Sequence, residues 1–565
     1  MKNLLLILIC TLFPFTARAY DAYLGGIYYN LNKNDKTASV TYYYKYTGRV
    51  VIPESVTYDK ETYSVTSIGN YAFTNCNDLT SISIPNSVTS IGVCAFENCT
   101  GLNSISIPSS VTYIGGLAFS NTGWYNSQPD GLLYLDKCLI GYKGAIEEDI
   151  TIDEGTRLLA GNAFANCQDL IFITIPSSVI SIGSGAFIFC TNLVSITIPD
   201  GVTSIGIDTF NGCSGLITAT LGKGITSIGA QAFNNCTGLM NINIPDNVTS
   251  IGERAFYECS NLSSITIPSK VTSIEDYTFY NCQNLASLTI GDGVTSIGNY
   301  SFSNCQKVMS LTIPNSVKTI GNSAFQCCYI LSSLIIPNSV TSIGEWAFQG
   351  CNSIESLIIP EGIKIIRQGA FTWCSSLKSI TIPSTIQYIY GDAFAYCTNI
   401  KEVISLPEVP PFLYESSFSN YDITLKVPEA SKEAYMTTSP WSRFGTFQTL
   451  SGENIDITKC ATPTIWYENG KVKFNCDTEG VEFVSEVIAD DAKQYNDSEL
   501  TLSQTYKISV YATKDGYENS EVVTREITIT GNGKAIIVGD VNNDGEVNVA
   551  DHVKLSDIIM NKKQQ

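Results

Sequence analysis

The sequence predicts a β-rich solenoid followed by a small β-sandwich and a short EF-hand-like loop-helix. Three observations predict it: a 23-residue repeat between Ile52 and Cys397, a set of alternating apolar runs between residues 460 and 530, and an Asp/Asn-rich loop at 540–551. Length agrees with several bodies rather than one. Single cores stop growing near about 250–300 residues, and this chain has 565.

The first segment, residues 1–19, holds Lys2, an apolar run from Leu4 to Phe15, and Ala17-Arg18-Ala19. That is the pattern of a secretory signal peptide, and the run is too short to span a membrane. Cys10 lies inside it but follows Ile9, where lipoprotein processing needs a small residue. Export is therefore expected. Residues 20–78 read as an N-terminal cap and a first irregular repeat, lengthened by Tyr58 to Tyr63.

The repeat occupies residues 79–405. Ile-Pro-x-x-Val recurs from Ile84 and Ile107 through Ile175, Ile198, Ile244, Ile267, Ile313, Ile336 and Ile359 to Ile382, and Leu221 and Ile290 open the same unit without proline. A fixed period of this size means stacked coils, each burying its apolar side against its neighbours. In the unit Leu79 to Cys99, Ile82-Ser83-Ile84 alternates as a short strand and Pro85 ends its ladder. Val88 to Ile91 forms a second extended edge, Gly92 permits a turn, and Ala95-Phe96 closes the coil. One stretch, 122–148, breaks the period with Trp124, Tyr125, Cys138 and Tyr142, and is expected to project a loop or hairpin from the stack.

Thirteen of the 19 cysteines share one column, from Cys76 and Cys99 to Cys397. Side chains stacked in one column point in parallel, whereas a disulfide needs its sulfurs turned toward each other, so buried thiols acting as small hydrophobes are expected. Cys94, Cys327, Cys460 and Cys476 lie outside the column, and the last two could bridge.

Exposed columns are also legible. Thr174, Thr197, Thr220, Thr266, Thr289, Thr312 and Thr381 hold the middle of the strand, and Thr203, Thr226, Thr249, Thr272, Thr295 and Thr341 follow the valine. Threonine suits a strand and keeps like charges from stacking. Tyr277, Tyr300 and Trp346 share the position before Ala-Phe, while Phe189, Trp373 and Tyr396 precede the column cysteine. Exposed aromatic rows grip sugars and protein hot spots, so Tyr277, Tyr300, Trp346, Trp373 and Tyr396 are the candidate ligand-binding residues. Ile335 and Ile358 replace threonine nearby and extend an apolar patch.

Residues 406–452 read as the terminal cap that the last coil requires. In 453–533, runs such as Tyr506 to Ala512, with turns at Asn469-Gly470 and Asp515-Gly516, read as a β-sandwich. In 534–565, Asp540, Asn542, Asp544, Asn548 and Asp551 stand at loop positions 1, 3, 5, 9 and 12, with Gly545 at 6 and the Glu546 carbonyl at 7. Hard Ca²⁺ takes such a shell of six to eight oxygens, so one Ca²⁺ site is expected.

The repeat unit, Leu-x-x-Ile-x-Ile-Pro with Ala-Phe-x-x-Cys, resembles the BspA-like leucine-rich repeats over roughly residues 50–405, in fourteen units. The resemblance implies a superhelical leucine-rich-repeat solenoid in a secreted or cell-surface protein that adheres to extracellular proteins or glycans of a host or of other cells. Residues 453–533 resemble the immunoglobulin-like modules of exported bacterial proteins. The calcium loop, with Asp551 at position 12, resembles one repeat of a type I dockerin. A dockerin has two, so a cohesin-like partner does not follow from it.

Composition excludes other classes. The chain carries a net charge of −20, with no concentrated basic patch, which argues against nucleic-acid binding. Its one histidine, His552, leaves no triad chemistry and no histidine-ligated metal. Acids such as Glu253, Asp276 and Glu345 read as scattered at non-matching positions, which gives no carboxylate pair for glycoside hydrolysis. A non-catalytic binding protein is expected. The rival reading is a non-catalytic scaffold component of an extracellular, glycan-processing assembly, recruited through the calcium tail.

Overall fold

A computed structural model describes residues 20–42 and 46–452, together with the backbone of the strands between 458 and 538. The expected signal peptide, the six candidate calcium ligands, Cys460 and Cys476 lie outside the described residues. The chain divides into two compact units, residues 1–377 with 392–399 and residues 378–391 with 400–565.

The first unit begins antiparallel and turns parallel. Ala22–Leu24, Ile27–Asn32 and Thr37–Val40 pair antiparallel in sequence order. Thr37–Val40 then pairs parallel with Glu61–Ile68, which also forms a hairpin with Ser55–Tyr58. The lengthened stretch at Tyr58 to Tyr63 is this hairpin. Tyr29 and Tyr63 are fully buried in the cap, closing the edge of the first coil.

Beyond the cap, each coil repeats the path of the one before, so corresponding strands must pair parallel and in register. Ser204–Ile205 pairs with Ser227–Ile228 and that with Ser250–Ile251, while Ser195–Thr197 pairs with Thr218–Thr220. The proline after the first strand starts a turn as well as ending the ladder, because the valine N–H donates back to the proline carbonyl, as from Val88 to Pro85 at 3.1 Å. The second extended edge is consequently only two residues long, Ser90–Ile91 in the first regular coil.

One coil shows what is buried: Leu262, Ile265, Ile267, Val271, Ile274, Phe279 and Cys282 are each at most 3% exposed. The phenylalanines stack in two runs, Phe73 to Phe119 and Phe164 to Phe394, for example Phe256, Phe279 and Phe302 with centroids 5.2 Å apart and rings within 5° of parallel. Each buried thiol of the column finds an acceptor. Cys282 Sγ donates to the Phe256 carbonyl at 3.3 Å, and Cys259 to that of Phe233 at 3.2 Å. All the cysteines among the described residues are unbridged, as the single column requires.

The irregular stretch joins the stack instead of projecting from it. A short helix, Gly123–Ser127, capped by the Thr122 side chain, leads into a hairpin of Gly131–Leu135 and Cys138–Lys143. The second hairpin strand pairs parallel with Leu158–Leu159, which pairs with Ser181–Ile182. Trp124, Leu133 and Leu135 are buried, and Arg157 donates to the Val111 carbonyl. Their apolar area explains why the hairpin stays in the sheet.

The second unit continues in parallel coils: Ser379–Ile382, Glu402–Ser405, Thr424–Val427 and Thr446–Thr449. The cap is thus itself built of coils. Trp441 and Tyr435 seal it, both fully buried, with Trp441 Nε1 donating to the Pro411 carbonyl at 2.7 Å and Tyr435 Oη to the Pro407 carbonyl at 3.0 Å. Farther on, Glu482–Asp490, Gln504–Thr513, Val523–Ile529 and Ala535–Val538 form one antiparallel sheet, and Thr464–Glu468 pairs with Lys471–Asn475. No helix among the described residues is long and apolar enough to cross a membrane.

Candidate aromatic binding faces

The turn that carries the candidate residues has an unusual backbone. Two residues in every coil have positive φ, one two places before the stacked phenylalanine and one two places after it, such as Tyr277 (57°) and Asn281 (60°) around Phe279. This shape lets alternate N–H groups reach the next coil: Tyr277, Phe279 and Asn281 donate to the carbonyls of Asn299, Ser301 and Ser303 at 2.7–2.9 Å. Left-handed backbone suits glycine and asparagine and costs other residues about 1–2 kcal/mol. The second position accordingly holds Asn75, Asn98, Asn121, Asn166, Asn235, Asn281 and Asn304, with Gly212 and Gly350.

Glu258 and Cys327 depart from that rule, as do three rings, Phe189, Trp373 and Tyr396, at φ of 57–63°. Packing explains Phe189, whose ring covers Gly212 of the next coil; a Cβ there would lie 2.3 Å from its Cδ1. Trp373 and Tyr396 cover each other instead. Trp373 and Tyr396 are 50% and 51% exposed, and their rings stack on each other with centroids 4.3 Å apart and 13° between planes. Two bulky rings thus hold a strained conformation with half their surface in water.

The first positive-φ column divides. Trp346 covers Gly369 as Phe189 covers Gly212, so its ring is partly spent on packing. Tyr277 and Tyr300 stack at 4.8 Å and 4°, and they do not stand alone. Arg254, the preceding member of the column, sits over the Tyr277 ring at 4.9 Å. Tyr257 and Tyr280 stack at 4.9 Å, with Tyr280 5.8 Å from Tyr277. The five candidate residues therefore form two pairs and one separate ring, and Arg254, Tyr257 and Tyr280 enlarge the first pair.

A second exposed ring cluster belongs to the second unit. Tyr388, Tyr390, Phe412 and Tyr414 are 40–54% exposed; Tyr390 stacks on Tyr414 at 5.4 Å, and Phe412 meets Tyr414 edge-on at 5.1 Å. The strands pair Tyr388 with Phe412, 24 residues apart, so these rings fall out of the 23-residue count.

The threonine columns differ in role. The column after the valine stitches coils together, Thr226 Oγ1 donating to the Thr203 carbonyl at 3.1 Å and Thr249 to that of Thr226 at 3.2 Å. The mid-strand column from Thr174 to Thr312 is exposed, and Ile335 and Ile358 within it are 64% and 74% exposed. The acids also need correction. Glu253, Asp276 and Glu345 are not scattered: they occupy one column, with Asn299 and Asn322 between them. In it Asp276 Oδ1 accepts from the Asn299 N–H at 2.6 Å, and Asn299 and Asn322 pass the pattern on at 2.8 Å each, so this column is a ladder that braces the turn.

A family model described as the BspA type leucine rich repeat region matches residues 52–128, 157–286 and 272–401, in six copies. Among solved structures, a leucine-rich repeat protein from Bacteroides ovatus is 31% identical, over 73% of this chain and 100% of that one, with a TM-score of 0.40. A leucine rich cell surface protein from Faecalibacterium prausnitzii is 30% identical, over 76% and 94%, with a TM-score of 0.32. The pneumococcal vaccine antigen PcpA is 18% identical, over 73% and 94%, with a TM-score of 0.31. No curated protein matches.

Proposed function

The chain belongs to the BspA-type leucine-rich-repeat family, and from that premise we propose that it is an exported, surface-displayed protein that adheres to macromolecules of a host or of neighbouring cells through its solenoid. The observation that carries the reading is the Trp373–Tyr396 pair, two half-exposed, stacked rings held in left-handed backbone. Fold alone fixes no ligand, so the argument rests on this surface. Rigid aromatic rings give a binding surface large contact area at low entropic cost. The test is an immobilised array of extracellular-matrix proteins and glycans probed with the full chain and with Trp373→Ala/Tyr396→Ala. Loss of the captured ligands in the double variant supports the reading, and unchanged capture counts against it.

A second reading has its own observation, the ligand spacing from Asp540 to Asp551. On that reading the chain is a non-catalytic component of an extracellular assembly, recruited through a Ca²⁺-loaded, dockerin-like tail that follows an immunoglobulin-like spacer. Removing residues 534–565 separates the two: adhesion survives the truncation and assembly does not.

A further inference from the structure

One column of the solenoid is occupied by glycine in most coils, at the place where each second strand turns toward the ladder of acids and amides. It reads Gly229, Gly252, Glu275, Gly298, Gly321, Gly344, Arg367. The three consecutive glycines admit no side chain, since a Cβ on Gly298, Gly321 or Gly344 would come within 2.4–2.7 Å of backbone in the preceding coil. An open groove of about 550 Å³ runs over them, and Glu275 and Arg367 stand at its two ends. At 4.7–4.9 Å per parallel strand, the four coil steps between those ends span roughly 20 Å.

The groove repeats its chemistry once per coil. Hydroxyls of Ser273, Ser296, Thr319 and Ser342 line one side of the glycine column, and Asp276, Asn299, Asn322 and Glu345 line the other. The second side is held in place by its own ladder, in which the side-chain oxygens of Asp276, Asn299 and Asn322 each take the next coil's N–H. The Glu345 carboxylate and the Arg367 guanidinium have no hydrogen-bond or ion-pair partner among the described residues.

We propose that this groove binds an uncharged linear oligosaccharide, laid along the solenoid axis with about one sugar ring per coil. The lining supplies donors and acceptors of both charges in a fixed repeat, which a chain of vicinal diols can use along its whole length. A polyanion would meet Glu275, Asp276 and Glu345 against the single Arg367, and an apolar chain would leave the polar lining unpaired. The site is separate from the aromatic pairs, and its test does not depend on them.

The test uses the full chain in calorimetric titrations with neutral linear hexasaccharides of glucose, mannose and galactose, and with a basic hexapeptide as the rival ligand. The proposal expects one of the sugars to bind, with little change between 50 mM and 500 mM salt because no net charge is neutralised. It expects Glu345→Ala and Arg367→Ala, both at exposed positions, each to weaken that binding at least about tenfold, as loss of a hydrogen bond to a charged group does. Tyr58→Ala, at an exposed position in the N-terminal hairpin away from the groove, should leave it unchanged, with circular dichroism confirming that every variant is folded. Binding of none of the sugars, binding that ignores both substitutions, or binding of the basic peptide alone overturns the proposal.

Discussion

The indole of Trp346 covers Gly369 one coil farther on: a Cβ built on Gly369 would stand 2.0 Å from Cε3 of the ring, and the glycine itself has φ of 61°. A tryptophan and a glycine 23 residues apart are thus one packing unit. Gly369→Ala is expected to destabilise by about 2–4 kcal/mol, part from left-handed backbone and part from the collision. In a Trp346→Ala background only the backbone part, about 1–2 kcal/mol, should remain. Urea unfolding of the double-mutant cycle measures the difference, and strictly additive effects would show that the ring does not depend on the glycine.

Trp373 and Tyr396 predict the opposite balance. Asparagine at either position relieves about 1–2 kcal/mol of left-handed strain and gives up about 0.5–1.5 kcal/mol of ring stacking. Trp373→Asn and Tyr396→Asn should therefore shift stability by less than about 1 kcal/mol while removing captured ligand. Phe371→Ala, in the buried phenylalanine stack of the same coil as Trp373, should cost about 3–5 kcal/mol. A Trp373→Asn variant as unstable as Phe371→Ala would assign Trp373 to the core and remove it from the binding face.

What the sequence showed and what it hid follow from one cause, the period. Phe279, Cys282 and their columns were legible because burial repeats every 23 residues in the regular coils, Cys167 being the one column thiol left partly exposed. The acid column was misread because asparagines at 299 and 322 interrupt it, although asparagine serves there through the same side-chain oxygen. Tyr388, Tyr390, Phe412 and Tyr414 were missed because their coil is one residue longer, which shifts the pairing to 24. The cover of Gly369 by Trp346 has no sequence signal, since it depends on which way a positive-φ residue directs its ring. The hairpin at 131–143 was legible as an irregularity, but its place in the sheet rests on long-range pairing with Leu158–Leu159.

The calcium reading makes its own prediction. Position 1 and position 5 carboxylates supply the strongest charge in such a loop. The full chain is expected to take up Ca²⁺ at millimolar concentration or below, and Asp540→Ala/Asp544→Ala to abolish the heat in a calorimetric titration. Absence of heat from the unaltered chain at millimolar Ca²⁺ would remove the metal site and, with it, the ground for recruitment through the tail.

The thiol column predicts a pH limit. Burial pushes Cys99 and Cys167 up to about 12 and Cys138 up to about 11, from an ordinary value of 9.0. The folded chain therefore holds protons that the unfolded chain releases once the pH passes about 9. Stability from this source is complete below pH 9 and is lost progressively as pH rises from 9 toward 12, by up to about 1.4 kcal/mol per pH unit for each such thiol. Urea midpoints should fall across that interval, and the fall should be shallower in Cys99→Ala/Cys167→Ala. Burial also keeps the column away from reagent, so a disulfide-exchange probe at pH 8 should label its buried members only after unfolding. Cys327 and Cys167, the partly exposed thiols among the described residues, should react before them. Rapid labelling of the buried column cysteines in the folded protein would mean that the coils open locally, and the alkaline limit would then reflect that opening instead of the shifted thiols.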